Sequence, residues 1–244
     1  MKKIIIIGAS SGMGRRVALD FARMGWRVGV AARREDQLKE LKEKYPDNIE
    51  YLAFDVTADN AVERFYELIE RLDGMDYLLY AASCGWRNPE LTPSFDDCTI
   101  DVNVKGFTRI VNATYKYYKE TANTLRGHIA VITSVAGTKG IGISATYSAS
   151  KRYQWTYLQA LDQLAHQQRV NVTITDIRPG FVDTPLLNGN RYPLEMSIDY
   201  VAPRLEKAIL RSRRIAVIDS RWAVVTALWK MVPDCLWRRI ELID

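Results

Sequence analysis

Tyr147-Ser148-Ala149-Ser150-Lys151 sets a phenol and an ammonium four residues apart. On a helix, positions four apart share a face, so the two groups are neighbours. A free tyrosine ionises at about pH 10, too high to exchange protons readily near neutrality. An ammonium beside it favours the phenolate and is expected to bring its pKa down toward the working range. Taken alone, a Tyr-x-x-x-Lys pair is more often a solvated helix face. Here Ser134 lies just upstream, where a strand is expected to end, and a glycine-rich turn opens the same chain.

That turn follows Ile4 to Ile7, four β-branched residues that read as a strand buried on both faces. Gly8 ends the strand. From Arg15 onward Val17, Ala18, Phe21 and Ala22 recur at helical steps. A buried strand, a glycine turn and a helix N-terminus form a cradle for phosphate, because the backbone can approach closely and free N–H groups face the anion. The spacing Gly8-x-x-x-Gly12-x-Gly14 matches neither Gly-x-Gly-x-x-Gly nor the Walker pattern. An ordinary tight turn is the alternative.

Trp26 to Ala32 reads as the second strand, which makes the sheet parallel. It exits into Arg33-Arg34, where an NAD site would carry an acidic residue for the ribose 2′-hydroxyl. A guanidinium suits a 2′-phosphate, so NADP(H) is expected over NAD(H), with NAD(H) still usable. The alternative is that both arginines solvate the start of the next helix. After a third strand come Asp55, Val56 and Thr57. Asp55 either accepts from an adenine amino group or, with Thr57, caps the helix expected over 58–72.

Strands are expected over 75–82, 128–133, 170–177 and 214–218, with helices over 35–44, 95–121, 147–167 and 198–210. The alternation predicts an α/β fold: a doubly wound, Rossmann-type parallel sheet with helices on both faces, in a single domain. Residues 1–218 would form the nucleotide-binding body. Residues 185–197 lack periodicity, contain Gly189 and Pro193, and would act as a mobile lid over the substrate.

Composition narrows the function classes. With 48% hydrophobic and 26% charged residues over 244 positions, the chain has ample core and is not expected to be disordered. The net charge of +5 suits an anionic cofactor, but the basic residues are scattered and no nucleic-acid motif is present. Cys84, Cys98 and Cys235 are too scattered for a disulfide framework or zinc site, so a reducing, cytoplasmic compartment is expected and no metal. His128 and His166 form no ligand cluster. Met1-Lys2-Lys3 before the isoleucines imitates a signal peptide, but the apolar run stops at Gly8. No run reaches the roughly eighteen apolar residues of a membrane-spanning helix.

From about Lys3 to Ile218 the chain resembles the short-chain dehydrogenase/reductase family. The resemblance rests on Gly8 to Gly14, Asp55, Asn103, Ser134, Tyr147 with Lys151, and Pro179-Gly180, in the family's order. It implies that Tyr147 donates a proton to a carbonyl oxygen as hydride arrives at carbon, and that Ser134 hydrogen-bonds that oxygen. Lys151 would bind the nicotinamide ribose and lower the tyrosine pKa. Asn103 would hold a water linking Lys151 to solvent. Gly8, Ser10, Ser11, Met13 and Gly14 would surround the pyrophosphate and adenosine ribose, Arg33 the 2′-phosphate, and Val182 and Thr184 the carboxamide. Asp55, Val56 and Ala82 would complete the cofactor site. The implied activity is an NADPH-dependent oxidoreductase interconverting a ketone and a secondary alcohol. A catalytically idle NADP(H)-binding sensor or scaffold is the alternative. A homodimer or homotetramer is the implied assembly. Two positions depart from the family pattern: Tyr80-Ala81-Ala82-Ser83 replaces Asn-Asn-Ala-Gly, and Ile7 replaces a threonine.

The tail from Arg211 to Asp244 is the least orthodox stretch, with an amphipathic helical extension of the same domain expected over 219–244. Trp222, Val225, Trp229, Val232 and Leu236 fall at helical steps, with Arg213, Arg214, Arg221, Lys230, Arg238 and Arg239 around them. Such a stripe packs on the core or a partner subunit, or lies peripherally on an anionic membrane. Membrane contact would favour a lipid-like ketone of the 3-ketoacyl or 3-keto sphingoid type. Pro233 is expected to end or kink the helix.

Overall fold

The computed structural model describes residues 1–121 and 126–240. Seven strands form one parallel sheet: β1 (Lys3–Ile7), β2 (Arg27–Ala32), β3 (Ile49–Ala53), β4 (Tyr77–Tyr80), β5 (Gly127–Ile132), β6 (Val172–Pro179) and β7 (Ile215–Ile218). The order is β3-β2-β1-β4-β5-β6-β7, so the chain winds outward twice from β1. The reversal between β1 and β4 opens a crevice at the carboxyl ends of the strands, where ligands bind in such sheets.

The four isoleucines show why β1 sits at the centre. Ile4 and Ile6 join one core with Val17 and Phe21 of α1 (Gly12–Arg23) and Leu205 of α7 (Ile198–Leu210). Ile5 and Ile7 join the opposite core with Phe65 of α3 (Ala61–Arg71) and Ile110 of α5 (Phe107–Glu120). Successive strand residues point to opposite faces, and both faces are covered. Burial of each such side chain contributes about 1.5–3 kcal/mol.

The remaining helices are α2 (Glu35–Lys44), α4 (Pro93–Ile100), α6 (Ala145–Gln168), α8 (Ser220–Met231) and α9 (Asp234–Trp237). The helix expected over 95–121 is two helices joined by a wide π-type turn, Asp101–Gly106. Tyr80 accounts for its position. Its phenol, buried where the family pattern has an amide, donates to the Val102 carbonyl at 3.1 Å, and its ring meets Phe107 edge-on. The first departure from the family pattern is thus absorbed by repacking. The tail breaks at Pro233 as expected, into α8 and α9; its last four positions lie outside the described residues. Among the described residues no helix is long and apolar enough to cross a membrane.

Candidate active site

A cleft of about 550 Å³ lies along the carboxyl ends of the strands. Gly8, Ser10, Ser11, Met13, Gly14, Arg33, Asp55, Val56, Ala82, Ser134, Tyr147, Lys151, Val182 and Thr184 all line it. Asn103 does not; its side chain is wholly buried behind the β4 loop.

The glycine turn occupies one end. Gly8 has φ +91°, and a Cβ there would lie 2.5 Å from the Ala82 backbone nitrogen. A Cβ on Gly14 would lie 2.5 Å from the Gly8 carbonyl. These contacts let α1 start directly against β1. A Cβ on Gly12 would instead meet only the Thr184 methyl, at 3.4 Å. The first N–H groups of α1 therefore open onto a site with room for a phosphate. Arg34 covers the turn: its guanidinium donates to Ser10 Oγ at 2.9 Å and Ser11 Oγ at 2.7 Å. Arg33, expected at the 2′-phosphate, is 68% exposed and lies 3.8 Å from Asp55. Asp55 Oδ1 accepts from the Thr57 backbone and hydroxyl, at 2.9 and 2.8 Å, whereas α3 starts after Asn60. Asp55 thus shapes its own loop and caps no helix.

The chemistry-bearing end is built on α6. Ser134 follows β5, accepts from the Ala136 backbone at 3.1 Å, and lies within hydrogen-bonding reach of the Tyr147 phenol. The Lys151 ammonium is 5.6 Å from the centre of the Tyr147 ring. It donates to the Ile132 carbonyl at 3.3 Å and to Gln154 Oε1 at 3.2 Å. Burial pushes Lys151 down to about 7. The expected lowering of Tyr147 is reversed: burial pushes it up to about 12, partly offset by the Ser134 hydroxyl. Close packing explains this, since a Cβ on Gly85 would meet the Tyr147 ring at 2.3 Å. Desolvation outweighs the distant ammonium.

Asn103 acts as a clamp behind this pair. Its amide nitrogen donates to the Cys84 carbonyl at 2.8 Å and to Ser150 Oγ at 3.0 Å, and its Oδ1 accepts from the Cys84 backbone at 3.0 Å. The Asn103 backbone carbonyl accepts from Gln154 Nε2 at 3.0 Å. One buried amide therefore joins Asn103 to Lys151. Gln154 carried no signal in the sequence beyond its place three residues after Lys151. Cys84 and Cys98, read as scattered, bring their sulfurs to 3.3 Å, and both are free thiols.

The substrate end is closed by two segments. Asp183 and Met196 share a backbone hydrogen bond at 2.9 Å, pinning the base of the 185–197 segment. Trp222 and Trp229 of α8 reach the cleft wall, with Trp222 seated on Gly180. The tryptophan side of the tail stripe thus packs inward, while Val224, Leu228 and Met231 on the other side are exposed.

The family model for short chain dehydrogenases matches residues 2–193. The chain belongs to the short-chain dehydrogenase family. As a short-chain dehydrogenase it is an NAD(P)-dependent oxidoreductase of CH–OH and C=O groups. An uncharacterised oxidoreductase of Myxococcus xanthus is 31% identical over 241 residues, covering 96% of this chain and 93% of that protein. Two solved structures share the fold. A 3-ketoacyl-(acyl-carrier-protein) reductase from Brucella melitensis, complexed with NADH, has a TM-score of 0.80 and 22% identity, covering 88% of this chain and 95% of that one. A short-chain dehydrogenase from Sphingobium yanoikuyae, in complex with NADPH, has a TM-score of 0.80 and 19% identity, covering 100% of this chain and 98% of that one.

Proposed function

We propose that this short-chain dehydrogenase is a carbonyl reductase that prefers NADPH and uses Tyr147 as its general acid on a ketone. The observation that carries the proposal is that Tyr147, Ser134 and Lys151 line one cleft with the glycine turn, the Lys151 ammonium lying 5.6 Å from the centre of the Tyr147 ring. NADPH would supply the hydride; the protein supplies orientation and the proton. A phenol held at about 12 stays protonated near neutrality, which suits donation to an oxygen gaining charge. The Ser134 hydroxyl would hold that oxygen. Lys151 and Thr184, which both line the cleft, would hold the nicotinamide ribose and carboxamide.

Tyr147→Phe keeps the ring and removes the proton. It is expected to lower kcat/KM for carbonyl reduction by about 10²–10⁴ while leaving NADPH affinity within about threefold. Equal rates in both proteins would instead favour the idle sensor or scaffold.

Arg34 on the Ser10 and Ser11 hydroxyls, with Arg33 beside Asp55, supports NADPH over NADH. Arg33→Ala and Arg34→Ala are each expected to weaken NADPH binding about tenfold and NADH binding under about twofold. Equal weakening of both cofactors would remove the 2′-phosphate role. The exposed Val224, Leu228 and Met231 face would be covered in a homodimer or homotetramer. Peripheral membrane contact is the competing use of that face. Light scattering and liposome co-sedimentation separate the two.

A further inference from the structure

We propose that the tail forms the far wall of the substrate compartment and that this compartment takes carbonyl compounds bearing an aryl or fused-ring group. The inference rests on the reductase reading and extends it to the substrate's shape.

Aromatic rings run without a break from the 185–197 segment into the tail. Tyr192 stacks on Phe181, centres 4.1 Å apart and planes 7° apart. Phe181 meets Trp222 edge-on at 5.5 Å, Trp222 meets Trp229 at 6.2 Å, and Trp229 meets Trp237 at 5.4 Å. Phe181, Tyr192, Trp222 and Trp229 line the cleft, with Ile141 and Leu187.

The tail is fastened at both rims. Trp222 Nε1 donates to the Leu194 carbonyl at 3.3 Å. Trp237 Nε1 donates to the Gly140 carbonyl at 2.7 Å, and Lys139 pairs with Asp234 at 2.6 Å. Residues 222–237 therefore bridge the mouth between the Gly140 loop and the 185–197 segment. Both indole N–H groups that do this bonding are used on carbonyls, and Trp222 is buried against Gly180 and Phe181, so Trp229, only partly buried at the cleft wall, offers ring surface to the ligand. Such surfaces discriminate in favour of π-systems, through offset and edge-on contacts, beyond plain apolar burial. A small ketone needs only Tyr147 and Ser134 for its chemistry, so on this proposal its turnover is independent of the tryptophan rings.

The test compares butanone, decanone and acetylnaphthalene as substrates of full-length wild type, Trp229→Leu and Trp229→Ala, with thermal melts confirming folding. Trp229→Leu keeps an apolar wall and removes the ring. Wild type is expected to favour acetylnaphthalene over decanone at least tenfold in kcat/KM. Both variants are expected to raise KM for acetylnaphthalene about 5–20-fold, with kcat and the butanone constants within about twofold. Binding is read separately from catalysis by tryptophan fluorescence during acetylnaphthalene titration of Tyr147→Phe. Quenching there, reduced when Trp229→Leu is added, supports the compartment even if no carbonyl is turned over, so the two proposals fail separately. An unchanged acetylnaphthalene KM in Trp229→Leu, or a wild-type preference for decanone, would overturn the inference; the second would mark a lipid-like ligand instead. If Trp229→Ala fails to fold, Trp229→Leu and the titration decide alone.

Discussion

The two ends of the cleft are built from different materials. At the glycine turn, backbone meets backbone: Gly14 against the Gly8 carbonyl, Gly8 against Ala82, within van der Waals limits that exclude any side chain. At the tail, side chain meets backbone and side chain: Trp222 on Gly180, Phe181 on Tyr192. Backbone contacts cannot yield without moving a strand. Ring contacts can yield by rotation. The nucleotide end is therefore rigid by construction, and the substrate end is adjustable.

The largest expected effect tests this contrast directly. Gly14→Ala places a Cβ 2.5 Å from the Gly8 carbonyl oxygen, in the turn that leaves the central strand. It is expected to destabilise the fold by about 2–4 kcal/mol and to abolish measurable NADPH binding. Gly180→Ala brings a Cβ even closer, 2.1 Å from Trp222 Nε1, but that neighbour is a side chain. It is expected to displace Trp222, changing its fluorescence and raising substrate KM, with NADPH affinity kept within about threefold. Calorimetric melts and NADPH titrations of both variants check this. If Gly180→Ala lost NADPH as fully as Gly14→Ala, the two ends would be one mechanical unit.

The same contrast explains what was legible in the sequence. The strand of isoleucines, the turn and the Tyr147–Lys151 pair are local patterns, fixed by residues within a few positions of one another, and the doubly wound α/β class followed from the alternation of strands and helices. The pairing of Tyr147 with Ser134 was legible through family resemblance alone, since β5 and α6 meet only in the tertiary fold. Three things were not legible. The bonding of Arg34 to the Ser10 and Ser11 hydroxyls depends on the turn after β1 lying beside the end of β2. The rise of Tyr147 to about 12 depends on burial beneath Gly85, a residue far away in the chain. Gln154 matters only because the π-type turn presents the Asn103 carbonyl to it. The tail tryptophans were visible as a stripe, but the partner of a stripe is a tertiary fact.

Gln154 sharpens the comparison from the middle of the cleft, where a side chain does a rigid job. Its amide is wholly buried and oriented by two opposed bonds, accepting from Lys151 and donating to Asn103. Gln154→Leu removes both, leaves the Asn103 carbonyl and Lys151 short of a partner, and is expected to lower kcat about 10–50-fold and stability by about 1–3 kcal/mol. Reduction should depend on Lys151 being an ammonium, so the rate falls as pH rises through about 7. Gln154→Glu puts a carboxylate beside Lys151, favours the ammonium, and moves that limb to higher pH. A limb left in place by Gln154→Glu would mean that Lys151 is not the group whose ionisation sets the rate, so pH–rate profiles decide the matter.

The smallest expected effect lies at the seam joining the two ends, where α1 from the turn packs on α7 beside the tail. Glu206 of α7 is buried against Asp20 of α1, which is itself bonded by Arg16 at 2.6 Å and Arg23 at 3.2 Å. One Glu206 oxygen has no hydrogen-bond partner among the described residues. Burial, then the bond to Asp20, pushes Glu206 up to about 7. A carboxyl raised on folding binds its proton more tightly in the native state. Its contribution to stability is complete below the unfolded value near 4.5 and is lost as pH rises through about 7. Wild type is therefore expected to lose roughly 1–3 kcal/mol between pH 5 and pH 8 that Glu206→Gln does not lose. At pH 8 the variant should melt a few degrees above wild type, and at pH 5 the order should close or reverse. Parallel melting curves at the two pH values would mean that the seam shares its protons differently. In that case the α1–α7 contact would hold the rigid end to the adjustable one equally well on either side of neutrality.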